Sequence, residues 1–276
     1  MKNITQQKSW NCKYLIDVDT NEYLTQLSQQ LVIAPNKRDK IDNSIRHIQK
    51  EIWGLFQNRL HECIVFGSYD RQTIILEDEE ADVDILITFK TSEYRPETYL
   101  KHIKEFCEKN YPRSTVYPDH PTVAIEMDHI KFELVPAIYV SDVAVRIPAP
   151  RSNELRWIHT TPTRFKQQVE AKNKNNKDII LPLIRVFRYW NFLQGKPFSS
   201  YEIEKAIIER TFTCRTQLRD YYFVLEDSIK EITGTEEQKK SYADLREHNR
   251  VLRAMERERL TKYLEPELKD FLPLIK

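Results

Sequence analysis

Two aspartates one residue apart, Asp82 and Asp84, are the first residues in this chain that invite a chemical reading. They open Asp82-Val83-Asp84-Ile85-Leu86-Ile87-Thr88-Phe89, whose alternation predicts a β-strand. Both carboxylates then share one face, while Val83, Ile85 and Ile87 line the other. Carboxylates about 7 Å apart along a strand repel each other, and hard divalent cations are the usual neutralisers of oxygen-only ligands. An edge strand with two solvated aspartates would show the same pattern, so the surrounding motifs carry the decision.

Upstream, Cys63-Ile64-Val65-Phe66 reads as a short buried strand that stops at Gly67-Ser68. Backbone amides freed by a glycine, with a serine hydroxyl beside them, suit a phosphate group. Downstream, Thr122–Met127 and Ile130–Ile138 read as a hairpin turning at Asp128-His129. Glu133 lies between Phe132 and Leu134 and faces away from both, which makes it the expected third carboxylate. Glu126 and Asp128 compete for that place, because hairpin register is not fixed by the pattern. Three such acids are enough to hold two Mg²⁺ roughly 3.5–4 Å apart, with Mn²⁺ as the alternative ion.

The second half of the chain supplies cations and hydroxyls. In a helix expected over 179–194, Leu183, Val186, Phe187, Trp190 and Leu193 form an apolar stripe, leaving Arg185 and Arg188 on another face. Ser199-Ser200-Tyr201 opens the next helix, where hydroxyls and a helix N-terminus suit phosphate and the ring suits stacking on a base. Residues 64–150 carry an excess of acid and 151–215 an excess of base, although the net charge is only +1. That asymmetry fits a site with cations on one wall and a polyanion on the other.

The elements needed to hold these groups are legible in outline. Helices are expected over 36–60, 97–110, 163–173, 179–194, 200–210, 215–233 and 236–263, the last charged on most faces and placed at the surface. Ile147-Pro148-Ala149-Pro150 is read as an extended end to the strand-bearing part. Strands with helices first, then helices only, indicate an α+β lobe with a C-terminal helical lobe. The expected division is a helical extension over 1–36, a catalytic core over 37–150 and a helical domain over 151–276 that contributes to the nucleotide site.

Composition bounds the remaining possibilities. A chain of 276 residues with 14 Tyr, 12 Phe and 4 Trp is too rich in anchors to be disordered. No apolar run approaches the ~20 residues of a membrane helix, and the N-terminus shows no signal-peptide stretch, so a cytoplasmic protein is expected. Cys12, Cys63, Cys107 and Cys214 have neither zinc nor disulfide spacing and are expected to be buried as small apolar residues.

Taken in order, Gly67-Ser68-Tyr69-Asp70-Arg71-Gln72-Thr73, Asp82-Val83-Asp84 and Phe132-Glu133-Leu134-Val135-Pro136-Ala137 resemble the DNA polymerase β-type nucleotidyltransferase superfamily. Within it the chain is most similar to the bacterial cGAS/DncV-like nucleotidyltransferases of anti-phage defence. Arg185-Val186-Phe187-Arg188-Tyr189-Trp190-Asn191 and Phe198-Ser199-Ser200-Tyr201-Glu202-Ile203-Glu204 continue the likeness. Glu133 stands where the family usually has Asp, Arg188 where it usually has Lys, and Gln72 where Gly often follows Arg.

The resemblance implies a palm of mixed β-sheet with flanking helices, and metal-dependent joining of NTPs or dNTPs into short cyclic or linear oligonucleotides. It assigns Asp82, Asp84 and Glu133 to catalysis and two Mg²⁺, and Gly67, Ser68, Arg188, Ser199, Ser200 and Tyr201 to the nucleotide. It further implies a separately encoded defence effector as partner, and leaves the oligomeric state open. Alternatives are template-independent synthesis of longer DNA or RNA, begun on a protein hydroxyl or not, nucleotidyl transfer to tRNA or protein by a toxin-like enzyme, and a nucleotide-binding sensor without catalysis.

Overall fold

The computed structural model describes residues 19–119, 121–149, 156–213 and 216–275. Cys12, Pro150, Cys214, the Arg215 start of a helix and the first part of the N-terminal extension lie outside them. Strand β1 (Leu60–Phe66) runs antiparallel to β2 (Asp82–Phe89), and β2 pairs in parallel with the long β5 (Ile130–Ser141). The other edge of β5 is shared. Its first half takes β4 (Thr122–Met127), which in turn pairs with β3 (Thr115–Asp119). Its second half takes β6 (Ala144–Pro148), followed by β7 (Trp157–Thr160). The hairpin expected over 122–138 is therefore present, and the sheet continues through β7, where the pattern had suggested helices alone. Trp157-Ile158-His159-Thr160 is too short to show a period of its own and is a strand because β6 offers it an edge.

The two faces of β2 have different fates. Val83, Ile85 and Ile87 are fully buried under helix α2 (Pro35–Phe56) and α4 (Pro96–Asn110), among Ile41, Ile45, Ile48, Ile52 and Ile103. These isoleucines recur at helical spacing, so one side of α2 is a continuous apolar stripe. Helix α2 starts at a proline, whose missing N–H costs nothing in a first turn. The opposite face of β2 carries Asp82 and Asp84, then Leu86, packed with Val135, Ala137 and Val145.

The helical lobe is built from α5 (Pro162–Asn175), α6 (Ile180–Leu193), α7 (Ser200–Glu209), α8 (Leu218–Glu231), α9 (Glu236–Arg257) and α10 (Thr261–Phe271). Trp190 is fully buried beside Phe187 and Phe198, a core role. Helix α1 (Thr20–Gln30) packs its Leu24 and Leu27 into this same core, and Tyr23 donates to Leu272 O at 2.8 Å.

The long helix expected to run to Tyr263 ends instead at Arg257. Arg259 takes φ +57° and Leu260 N–H reaches Met255 O at 2.8 Å, a left-handed C-terminal cap made without glycine. Nor is α9 a purely surface helix: Leu245, His248, Asn249 and Leu252 are buried along one side. Its many charges hide a narrow stripe. Cys63 and Cys107 are free and buried, and burial pushes both thiols up to about 12.

Candidate active site

Register brings the acids together. Asp84 stands opposite Glu133 across the parallel β2–β5 pair, and Asp82 opposite Lys131, so all four side chains share one face. On the other side of β2, Phe66 pairs with Asp84, and the chain leaves β1 at Gly67 into the short helical turn α3 (Gly67–Asp70). Gly67 has φ +72°, and a Cβ there would run into Asp84 Oδ2 and lie 2.8 Å from Asp84 Cγ. The room left by this glycine is thus taken first by the Asp84 carboxylate, a demand that sequence reading had assigned to phosphate alone.

Crowding raises the carboxyl pKa values. Burial, then the Glu133 charge, pushes Asp82 up to about 6, with Lys131 opposing. Burial, then Asp82 and Glu133, pushes Asp84 up to about 8, with Arg71 and Lys131 opposing. Lys131 Nζ donates to Glu133 Oε1 at 2.7 Å and lies 3.4 Å from Asp82 Oδ2. Burial works against the ammonium, but the hydrogen bond and charge of Glu133 outweigh it and raise Lys131 above its ordinary value. Among the described residues, no three His, Cys, Asp or Glu side chains are already grouped as a metal cage. Asp82 and Glu133 are drawn onto the ammonium instead. As donors the trio suits a hard cation: oxygen only, crowded, and with two carboxyl groups held above their usual range.

The competing acids come from β4 and its turn, one strand farther from Asp84, with Glu126 on the face that Lys131 and Asp82 share. Glu126 pairs with Lys131 from β4 and accepts the Tyr117 hydroxyl at 2.9 Å; Asp128 sits in the turn.

A second charged cluster joins the lobes. Glu204 on α7 is 0% exposed and accepts from Arg71 Nε at 2.7 Å, Thr73 Oγ1 at 2.8 Å and Arg188 at 3.2 Å. Arg188, 8% exposed, is engaged inward by Glu204. Two guanidinium groups on one carboxylate leave a net positive charge, and the effect of Arg71 on Asp84 shows that it reaches the trio. At the rim, Lys196 donates to Asp78 at 2.6 Å and Glu80 at 2.7 Å, tying the loop before β2 to the segment before α7.

Ser199 is the N-cap of α7 in a reciprocal capping box with Glu202, so its hydroxyl is committed to the helix. The hydroxyls of Ser68 and Ser200 have no hydrogen-bond partner among the described residues. Tyr201 is 55% exposed, with Phe165 of α5 4.9 Å from its ring. Lys131, Phe165, Arg71, Thr73 and Glu204 were not assigned a role from sequence, whereas Arg188 was. Lys131 was within reach, since a residue two before Glu133 must share its face; Glu204 closes the family-like Phe198–Glu204 segment, but its partners come only from the packing of α6 and the Gly67–Thr73 turn over it.

Residues 18–173 match the Second Messenger Oligonucleotide or Dinucleotide Synthetase domain, SMODS. The chain belongs to the SMODS family. The SMODS match takes in Gly67, Ser68, Asp82, Asp84 and Glu133 and ends before Arg188 and Ser199. A probable cyclic nucleotide synthase of Bacillus cereus strain VD146 is 22% identical, the likeness covering 73% of each chain. CdnC of E. coli MS115-1, solved with ATP, superposes with a TM-score of 0.73 over 93% of this chain and 98% of its own, at 13% identity. The CD-NTase CdnG of Bradyrhizobium diazoefficiens, solved with GTP, gives 0.71 over 91% and 95%, at 12% identity. These structures establish the polymerase β-type fold, and membership of SMODS makes the chain a nucleotidyltransferase. Among the described residues no helix is long and apolar enough to cross a membrane.

Proposed function

We propose that this SMODS chain joins NTPs, or dNTPs, into short cyclic or linear oligonucleotides with release of pyrophosphate, as a signal in bacterial defence against phage. A separately encoded effector would read the product. The observation that carries the proposal is the placement of Asp84 opposite Glu133, with Asp82 on the same face, directly beside the Gly67-Ser68 turn. Asp82, Asp84 and Glu133 would hold a divalent cation, Mg²⁺ or Mn²⁺, which supplies Lewis acidity to an attacking hydroxyl and to the leaving pyrophosphate.

The chain's own groups do the rest. The Ser68 and Ser200 hydroxyls and the first-turn amides of α7 donate to phosphate oxygens, where a helix N-terminus favours negative charge. Arg71 and Arg188 contribute fixed positive potential from behind Glu204. Tyr201, exposed and backed by Phe165, offers a flat face for the base. The relatives solved with ATP and GTP support triphosphate substrates.

The test is pyrophosphate release with each labelled NTP and dNTP in Mg²⁺ or Mn²⁺, followed by phosphatase treatment, in which cyclic products stay protected. The double change Asp82→Asn and Asp84→Asn should abolish release while the circular-dichroism spectrum stays that of the wild type. Undiminished release by that folded variant would refute the assignment.

A further inference from the structure

The position of Lys131 has a consequence for how the carboxylates are filled. Its ammonium lies 2.7 Å from Glu133 Oε1 and 3.4 Å from Asp82 Oδ2, bridging acids from two adjacent strands. Register imposes this placement: Lys131 is the partner of Asp82 on β2 and is two residues from Glu133 on β5, so it points to the same face as both. A divalent cation drawn to Asp82 and Glu133 therefore meets a positive charge already bound to one oxygen of each carboxylate.

We infer that Lys131 is a tethered counter-ion that competes with divalent cations for Asp82 and Glu133, and yields to them by swinging toward Asp119. Two observations support the swing. Asp119 Oδ2 is 3.9 Å from the ammonium, on the side away from Asp84's strand, and is half-exposed. Lys131 also lines a cavity of about 730 Å³, together with Tyr117, Glu126 and Glu80, which gives a four-carbon stem room to turn. The arrangement keeps three crowded acids assembled at a cost in metal affinity, because a divalent ion gains only the difference between its own attraction and that of the ammonium.

The proposal rests on the metal-dependent reading above, and the experiment separates the two. Mn²⁺ binding to the full chain is titrated by calorimetry and by the loss of free-Mn²⁺ electron paramagnetic resonance at pH 8, with no nucleotide present. The proteins compared are wild type, Lys131→Met, Lys131→Arg and Asp84→Asn. Met keeps the length of the stem and drops the charge, whereas Arg keeps the charge. The expected result is Mn²⁺ binding about tenfold tighter in K131M, unchanged or weaker binding in K131R, and loss of binding in D84N.

A second readout guards against a merely structural role. Metal-free K131M should melt below the wild type, since three acids then face one another without a cation, and saturating Mn²⁺ should close that gap. Binding by K131M equal to or weaker than the wild type, with D84N still abolishing it, overturns the competition and leaves the metal reading intact. Absence of Mn²⁺ binding by both wild type and K131M overturns both.

Discussion

Replacing Gly67 with alanine tests the contact on which the site is built. The glycine has φ +72°, and a left-handed residue with a Cβ costs about 1–2 kcal/mol. The added carbon would run into Asp84 Oδ2 and lie 2.8 Å from its Cγ; Cγ alone would have to retreat by about 0.6 Å to an ordinary contact near 3.4 Å, and the nearer Oδ2 by more than about 1 Å. Asp84 is a short side chain wedged between β1 and β5 and has little freedom to do so without leaving Glu133. A misplacement of about 1 Å at a reacting centre is worth roughly 10²-fold in rate.

Gly67→Ala should therefore lose about 2–3 kcal/mol of stability and about 100-fold in kcat, with KM for nucleotide much less affected. Gly195→Ala is the control for the backbone penalty alone: φ is +79° and nothing lies within 4 Å of the added carbon, so its stability loss should be about 1–2 kcal/mol. Urea unfolding gives the stability difference, and pyrophosphate release over a range of NTP concentrations gives the kinetic split. If Gly67→Ala turns over within about threefold of wild type, Asp84 is not held where the reasoning needs it.

Other predictions follow from the buried charges. Glu204→Gln leaves Arg71 and Arg188 without a buried anion and should cost about 3–5 kcal/mol in urea unfolding. Adding Arg188→Met should restore part of that loss, and unchanged stability of the single variant would contradict the cluster's geometry. His248, stacked on Phe271 and buried, has its pKa lowered to about 4 by desolvation. Because the unfolded chain takes up a proton that the folded chain refuses, stability should fall as pH drops from about 6.5 toward 4, by at most about 3 kcal/mol. His248→Phe, which keeps the ring stacked, should flatten the slope when unfolding midpoints at pH 7 and 5 are compared.

The sequence by itself determined whatever depends on short-range periodicity. A period of two put Asp82 and Asp84 on one face of a strand running from 82 to 89, and helical spacing marked the isoleucines of α2 as core. A resemblance in motif order was enough to anticipate the polymerase β-type fold. Tertiary structure decided the rest. The acid that faces Asp84 depends on which strand lies beside β2, and pairing across 49 residues of chain leaves no local trace; Glu133 was the expected acid, but Glu126 and Asp128 remained competitors because the pattern does not fix hairpin register. The same holds for charge. Arg188 reads as a phosphate ligand and Glu204 only as the last residue of a family-like segment, yet packing α6 and α7 over the Gly67–Thr73 turn buries them against each other. A charged side chain far from its partner in sequence carries no sign of being neutralised, because its Coulomb partner is chosen by the fold.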